Sequence, residues 1–403
     1  MTETEPHEQP DGADRAYFPE LDGLRFFAFL AVFIFHDGIP QFRRWVNSAM
    51  EAARSAVPSL AAGRDVGFDI QQNGWTGVQF FFILSGFLIT TLLLREERRY
   101  GRISLRSFWV RRALRIQPLY FLTLILTFFL LPWLNGDVGF PTYHKFITTH
   151  LAPFLIYLGN WSMGILGPVP YDSVSILWSV CVEEQFYVFL PIVLVLTPRR
   201  ARVPAVVLLM AAAIAGRYWM AKSNVNVLLF QFATTTHLDT LFSGVLLALL
   251  MDRFPPGPRA AWVAKISRPG LLIALGFVLC GPDLARKTVG RQTWDYVILW
   301  LLGAGLIGSL IVRPGVLRSA LGYSRLVWLG KISYGLYMFH EIALWTARKV
   351  FVAVGWIPNG ELLKTILGFA LTVAFAAVSY YAYERPFLRR KVRWERVKSR
   401  PVS

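Results

Sequence analysis

Apolar runs of near-membrane length, separated by short polar loops, recur along this chain, and several reach the ~20 residues that carry a helix across a bilayer. The pattern predicts helices over residues 21–39, 75–94, 113–131, 176–196, 204–220, 236–251, 269–284, 293–312, 327–352 and 361–383. Between the first two, residues 42–57 fit a short amphipathic helix. Residues 133–175 break the rhythm. Within them 151–161 are apolar, but too short and too interrupted by Gly and Pro to span, which suits a re-entrant or interfacial segment. The expected architecture is all-α: a polytopic bundle of about ten transmembrane helices over residues 19–388. A polar tail (1–18) precedes it and a basic tail (389–403) follows it.

Charge orients this bundle. The chain has 403 residues, is 55% hydrophobic and carries a formal net charge of +17, with mean hydropathy +0.45. The basic residues crowd into alternate loops. With the N-terminus cytoplasmic, the inner loops hold 26 Lys and Arg and the outer loops 10. This bias supports two cytoplasmic termini in the cytoplasmic membrane, and it reads the charge as topology and anion attraction rather than nucleic-acid binding. Two cysteines in apolar segments, Cys181 and Cys280, argue against a disulfide framework. The N-terminal residues lack a basic region and a cleavage site, so the first helix is expected to be the targeting signal. The sequence carries no Walker motif, dinucleotide loop, internal repeat or zinc-ligand spacing, and no metal is expected.

Four groups of residues break the apolar pattern. Arg25 and His36 lie eleven residues apart, just over three turns, on one face and ~16 Å apart along the axis. Arginine at one end and histidine at the other also fits side chains reaching opposite headgroup layers. Arg106, Arg111, Arg112 and Arg115 gather at the inner end of the third helix, where Arg112 and Arg115 share a face. Guanidinium forks suit phosphate, and positive-inside anchoring competes with that reading. On the fourth helix Ser179, Glu183 and Tyr187 recur at four-residue spacing, with Glu184 turned ~100° away. On the ninth, Ser333, Tyr337 and His340 fall on one face. Ionisable groups inside a membrane mark function by default. His36 and Glu183 are expected at similar depth in the outer half, His340 somewhat deeper, and the arginines at the inner surface. A histidine backed by a carboxylate, above an anion site, has the parts of a general base over a phosphate-bearing donor.

Six segments, in order, give the chain a resemblance: LDGLRFFAFLAVFIFH, GVQFFFILSGFLI, FWVRRALRIQPLY, LWSVCVEEQFY, GKISYGLYMFH and YERPF, over residues 20–387. The chain is similar to the membrane acyltransferase-3 family of integral-membrane O-acyltransferases. The resemblance implies acetyl-CoA or another acyl-CoA as cytosolic donor. The acceptor it implies is a hydroxyl on a surface glycan, a glycolipid or a small glycosylated product. It implies His36 as catalytic histidine with Arg25 in support, Arg111, Arg112 and Arg115 toward the CoA, and Glu183 as the glutamate of the fourth-helix motif. Two positions depart from the family pattern: Gln79 stands where aspartate is frequent, and Ile342 where many members have proline. Some members carry a fused extracytoplasmic hydrolase-like domain. Too few residues follow YERPF to form one, so either direct delivery or a separate extracytoplasmic transferase partner is expected.

The expected chemistry places the CoA phosphates on Arg111, Arg112 and Arg115 and the thioester beneath His36. His36 deprotonates the acceptor hydroxyl or carries the acyl group transiently. Glu183 orients or balances it, His340 assists, and Ser179, Tyr187 and Tyr337 line the substrate path. Intramembrane His and Glu equally serve proton relays, so a proton-coupled transporter or flippase of glycolipids stays open at this level.

Overall fold

The computed structural model describes residues 17–37, 46–48, 51, 71–223, 225–253, 289–312, 315–355 and 361–397, and every described element is helical or a turn. The expected helix over 269–284, most of the amphipathic segment over 42–57, and residues 1–16 and 398–403 of the tails lie outside the described residues.

Helix α1 is Pro19–Asp37. α2, Thr76–Tyr100, is led in by a 3₁₀ turn at Asn73–Trp75. α3, Leu105–Ile125, continues through a π turn at Leu126–Leu130 to Asn135. The sequence places a long basic loop between these helices, but the structure leaves only residues 101–104 unwound. Gly101 ends α2 in a left-handed conformation (φ 71°) that suits glycine, and the Ser104 hydroxyl caps α3 by accepting from the Ser107 N–H. The arginines of this stretch, Arg102 apart, are therefore held on helix rather than on loop.

Residues 141–166 form two helices, α4 (Pro141–Leu155) and α5 (Gly159–Leu166), hinged at Tyr157, whose φ is 58°. The expected interfacial segment over 151–161 is this hinge. It is pinned to α6 (Leu177–Leu196) by Gln185, whose amide donates to the Tyr157 carbonyl (2.7 Å) and to Asn160 Oδ1 (2.8 Å). Then follow α7 (Arg202–Lys222), α8 (Val227–Phe232), α9 (Leu238–Arg253), α10 (Val289–Val312) and α11 (Val316–Leu321). The expected ninth helix is broken at Ile332 into α12 (Ser324–Lys331) and α13 (Ser333–Ala353). The break follows Gly330, which sits too close to the Asp22 carbonyl of α1 to admit a Cβ. α14 (Glu361–Val378) passes through a π turn at Ser379–Glu384 into α15 (Arg385–Val392). The basic tail thus begins as a helix, packed on α3.

Of the ten expected spans, six are long and apolar enough to cross a membrane among the described residues: Asn73–Tyr100, Leu105–Asn135, Asp172–Leu196, Arg199–Lys222, Thr293–Val312 and Leu362–Val392. α1, α9 and α13 form where expected but do not meet that standard. α9 is short, and α1 and α13 carry several polar residues that are buried against protein: Glu20 and Asp22 on α1, His340 and Glu341 on α13. They face protein rather than lipid. Outward-facing side chains are apolar over long stretches, with Leu196, Leu208 and Val378 among the most exposed, which suits hydrocarbon.

Small residues set the closest crossings. A Cβ on Gly244 of α9 would meet the Ile83 carbonyl of α2, and one on Gly86 of α2 would meet the Leu241 carbonyl of α9. Gly244→Leu therefore forces two backbones apart at a cost of about 1–3 kcal/mol or more. Thermal unfolding in detergent is expected to show a lowered midpoint. Gly216→Ala, where a Cβ meets nothing within 4 Å, serves as the unaffected control.

Candidate active site

Two polar regions lie along the bundle between α1, α2, α3, α6 and α13. The first is a cleft enclosing about 1540 Å³ of empty space, its open mouth included. Arg111, Arg112 and Arg115 of α3 and Lys391 of α15 stand at its basic end, and Ser179 of α6 and Tyr337 of α13 belong to its lining. Arg25, Ser85, Glu183, Tyr187, Ser333 and Tyr334 also line it.

The basic end is charge-balanced rather than bare. Arg111 donates to Glu96 Oε2 (3.0 Å) and to the Trp394 carbonyl (2.7 Å) of the returning C-terminal segment. Lys391 pairs with Glu395 at 3.0 Å. Arg112 has its Nε buried without a hydrogen-bond partner, and its guanidinium lies 5.6 Å from the ring centres of both Phe108 and Tyr187. Arg106 does not line the cleft. It stacks on Trp394 instead. Lys391 was not foreseen, because it lies far along the chain in what reads as a basic tail.

Glu183 sits in the cleft wall. Its carboxylate accepts from the Ser85 hydroxyl (2.8 Å) and the Tyr187 hydroxyl (3.0 Å), and the charges acting on it are those of Arg25 and Arg112. Arg25 pairs loosely with Asp22 (3.9 Å). The structure thus gathers Arg25, Glu183, Tyr187 and Arg112 into one group. It sets that group apart from His36, where the sequence had placed Glu183 at the same depth. Tyr337 and Ser179 are bonded to each other at 2.7 Å, and the Tyr337 hydroxyl also reaches the Ile176 carbonyl (3.0 Å).

The second region begins behind Tyr337. The His36 and His340 rings are 4.9 Å apart, edge to face. His36 Nδ1 bonds the Val32 carbonyl (2.9 Å) and His340 Nδ1 the Tyr337 carbonyl (2.6 Å). A carbonyl only accepts, so each Nδ1 carries the hydrogen and each Nε2 presents a lone pair. Both Nε2 atoms stand 3.9 Å from the same oxygen, Glu341 Oε1. The side chain of His36 is 24% exposed while His340 is sealed at 0%, so His36 is the histidine that an incoming molecule can reach. Glu341 was not singled out in the sequence. It lies one turn beyond Tyr337 and next to His340, and the four-residue spacing is the signal that points to it.

Three ligand-type atoms of His36, His340 and Glu341 lie within 4.8 Å of one another. A tetrahedral zinc with bonds of about 2.0–2.1 Å holds its ligands about 3.3 Å apart. The trio is wider than that and does not form a closed zinc shell. His150 and His237 are buried and hydrogen-bonded, whereas His144 is exposed. His150 bonds Ser162 (2.7 Å), and its exit from water lowers its pKa below the usual imidazole value. His237 bonds the Gln231 carbonyl (2.9 Å) beside the buried Arg217–Asp239 pair.

The profile of the acyltransferase domain family, acyltransferase-3, matches residues 18–381. The chain belongs to this family. A Staphylococcus aureus (strain COL) protein that carries an O-acetyltransferase name is 27% identical over 389 residues, covering 94% of this chain and 58% of that protein. The peptidoglycan O-acetyltransferase OatA of Listeria monocytogenes is 24% identical over 393 residues, covering 92% of this chain and 56% of that one. The O-acetyltransferase OatA of Staphylococcus aureus (strain NCTC 8325 / PS 47) is 26% identical over 400 residues, covering 93% and 58%. The chain thus spans a little over half the length of these curated relatives. No solved structure matches it. Apolar helices and family together make this a multi-pass membrane protein, related to enzymes named for O-acetylation of the cell envelope.

Proposed function

We propose that this protein transfers an acyl group, acetyl in the simplest case, from cytosolic acyl-CoA to a hydroxyl of a membrane-bound or extracytoplasmic glycan. The observation that carries this reading is one cleft with a cationic mouth and a lining that includes Tyr337, the residue whose carbonyl orients His340 beside His36. The crowding of basic residues into alternate loops supports a cytosolic arginine end, in a topology of ten spans with both termini on that side. Arg111, Arg112, Arg115 and Lys391 meet the donor's phosphates as charge-assisted hydrogen bonds. The pantetheine arm lies along the cleft past Glu183 and Tyr187, and the thioester passes the Tyr337–Ser179 contact. His36 Nε2 takes the proton of the acceptor hydroxyl, whose oxygen attacks the thioester carbonyl. The carbon–sulfur bond breaks and CoA leaves as the thiol. Peptidoglycan is the acceptor in one relative's name, which favours an envelope polymer, and a lipid-linked sugar is a further candidate. A separate extracytoplasmic transferase is a further candidate for the final step.

The test is transfer of label from radioactive acetyl-CoA to glycan or lipid-linked glycan by the purified full chain in proteoliposomes. Labelled ester together with free CoA is the expected result. Glycolipid movement across the bilayer with no consumption of acetyl-CoA would instead identify a transporter.

A further inference from the structure

Around His36, three hydrogen-bond acceptors face one another, and none of the described residues places a donor between them. The lone pairs of His36 Nε2 and His340 Nε2 and the carboxylate Oε1 of Glu341 converge, each nitrogen 3.9 Å from that oxygen. His340 Nε2 is buried without a partner, and Glu341 is 4% exposed. Both Nδ1 atoms are committed to backbone carbonyls, so neither ring can turn a hydrogen into the gap without losing that bond. Three acceptors in one water-poor space repel, and a single proton relieves all three contacts.

We infer that this gap is a proton-binding site, and that Glu341 is the positioning residue that makes His36 basic enough to use. This rests on the acyltransferase reading and deepens it. In the form competent to act as base both imidazoles are neutral and Glu341 is a carboxylate. As the acceptor oxygen forms its bond to the acyl carbon, its O–H breaks and the proton lands on His36 Nε2. The imidazolium then faces Glu341, with His340 Nε2 as a second acceptor in range. When the carbon–sulfur bond breaks, the electron pair stays on sulfur. The proton leaves the gap to that thiolate, so acceptor alcohol and thioester become ester and thiol with no net proton change.

Other charges act on the same space. Asp37 at the end of α1, Asp172 in the turn before α6 and Arg348 on α13 are the charged side chains whose fields reach His36 or Glu341. The two aspartates favour a proton in the gap and Arg348 opposes it. Glu341 is the carboxylate in direct line with both nitrogens.

The experiment compares wild type, Glu341→Gln and Glu341→Asp in the purified full chain, each checked for a monodisperse size-exclusion profile. With acetyl-CoA as donor, Glu341→Gln is expected to lower kcat about 10–100-fold with KM for acetyl-CoA unchanged. The acid limb of its pH–rate profile is expected to move to lower pH by about one to two units, because a lost carboxylate leaves the imidazolium unsupported. Glu341→Asp retains the carboxylate and keeps its limb near wild type. A second readout needs no turnover: the pH dependence of His36 modification by diethyl pyrocarbonate, mapped by mass spectrometry. Its midpoint is expected to fall by the same amount in Glu341→Gln. An unmoved midpoint in Glu341→Gln overturns the proposal. So does one equivalent of zinc in the purified wild type that His340→Ala loses. A shifted midpoint in a protein that transfers no acyl group to any acceptor tested would count against the acyltransferase reading and leave the proton site standing.

Discussion

His36→Ala is expected to abolish acyl transfer, with kcat reduced about 10³–10⁴-fold and acetyl-CoA binding retained. General-base catalysis by a positioned histidine is worth about 10²–10⁴ in rate. Here the alanine also empties the space that the acceptor hydroxyl must share with a base. The split between kcat and binding follows from the architecture. His36 does not line the arginine cleft, and α1 continues past Arg25 and Asp22 with or without the imidazole. Added imidazole is expected to restore part of the rate, since His36 is the accessible member of the pair. Initial rates with labelled acetyl-CoA, paired with calorimetric titration of CoA, check both halves. Full activity in His36→Ala would remove the base from this position.

The opposite split is expected at the other end of the cleft. Arg112→Ala should raise KM for acetyl-CoA about 10–100-fold, the loss of one or two charge-assisted hydrogen bonds to phosphate at ~1.5–3 kcal/mol. Among the cleft's described arginines, Arg112 has a buried Nε with no hydrogen-bond partner, whereas Arg111 already donates to Glu96 and the Trp394 carbonyl. Arg112→Lys should not restore the wild-type value, because a point charge replaces a planar fork held between two rings. Arg112 also balances Glu183, so kcat is expected to fall severalfold as that carboxylate loses its counter-charge. Unchanged CoA affinity in Arg112→Ala, measured at low and at physiological ionic strength, would move the donor site elsewhere.

What the sequence determines here is local to each helix. Hydropathy places the apolar helices, and the 3.6-residue period alone puts Ser179, Glu183 and Tyr187 on one face, and Ser333, Tyr337 and His340 on another. All of these line the cleft except His340, which lies behind Tyr337 beside His36. The fate of the basic stretch between α2 and α3 was half-legible. Gly101 and Ser104 are stop and start signals that shorten the loop to residues 101–104, although the density of arginine there reads as loop.

Which face meets which could only come from the tertiary structure, because the rotation and depth of one helix against another are fixed by contacts distant in sequence. Glu183 and His36 share a depth on paper. In the folded bundle α2 delivers Ser85 to Glu183, and α13 delivers Glu341 to His36. Arg25 and His36 share a face of α1, yet Arg25 lines the arginine cleft and His36 does not. The seating of Gly330 against the Asp22 carbonyl brings α12 onto α1 and breaks the ninth helix, so that α13 starts afresh at Ser333. Lys391 joins the arginines because α15 folds back onto α3. The sequence determined a membrane helix bundle, its family and the residues with chemistry in them. The packing of helix on helix, set by glycine contacts and helix breaks that periodicity does not encode, decided which carboxylate stands beside which histidine.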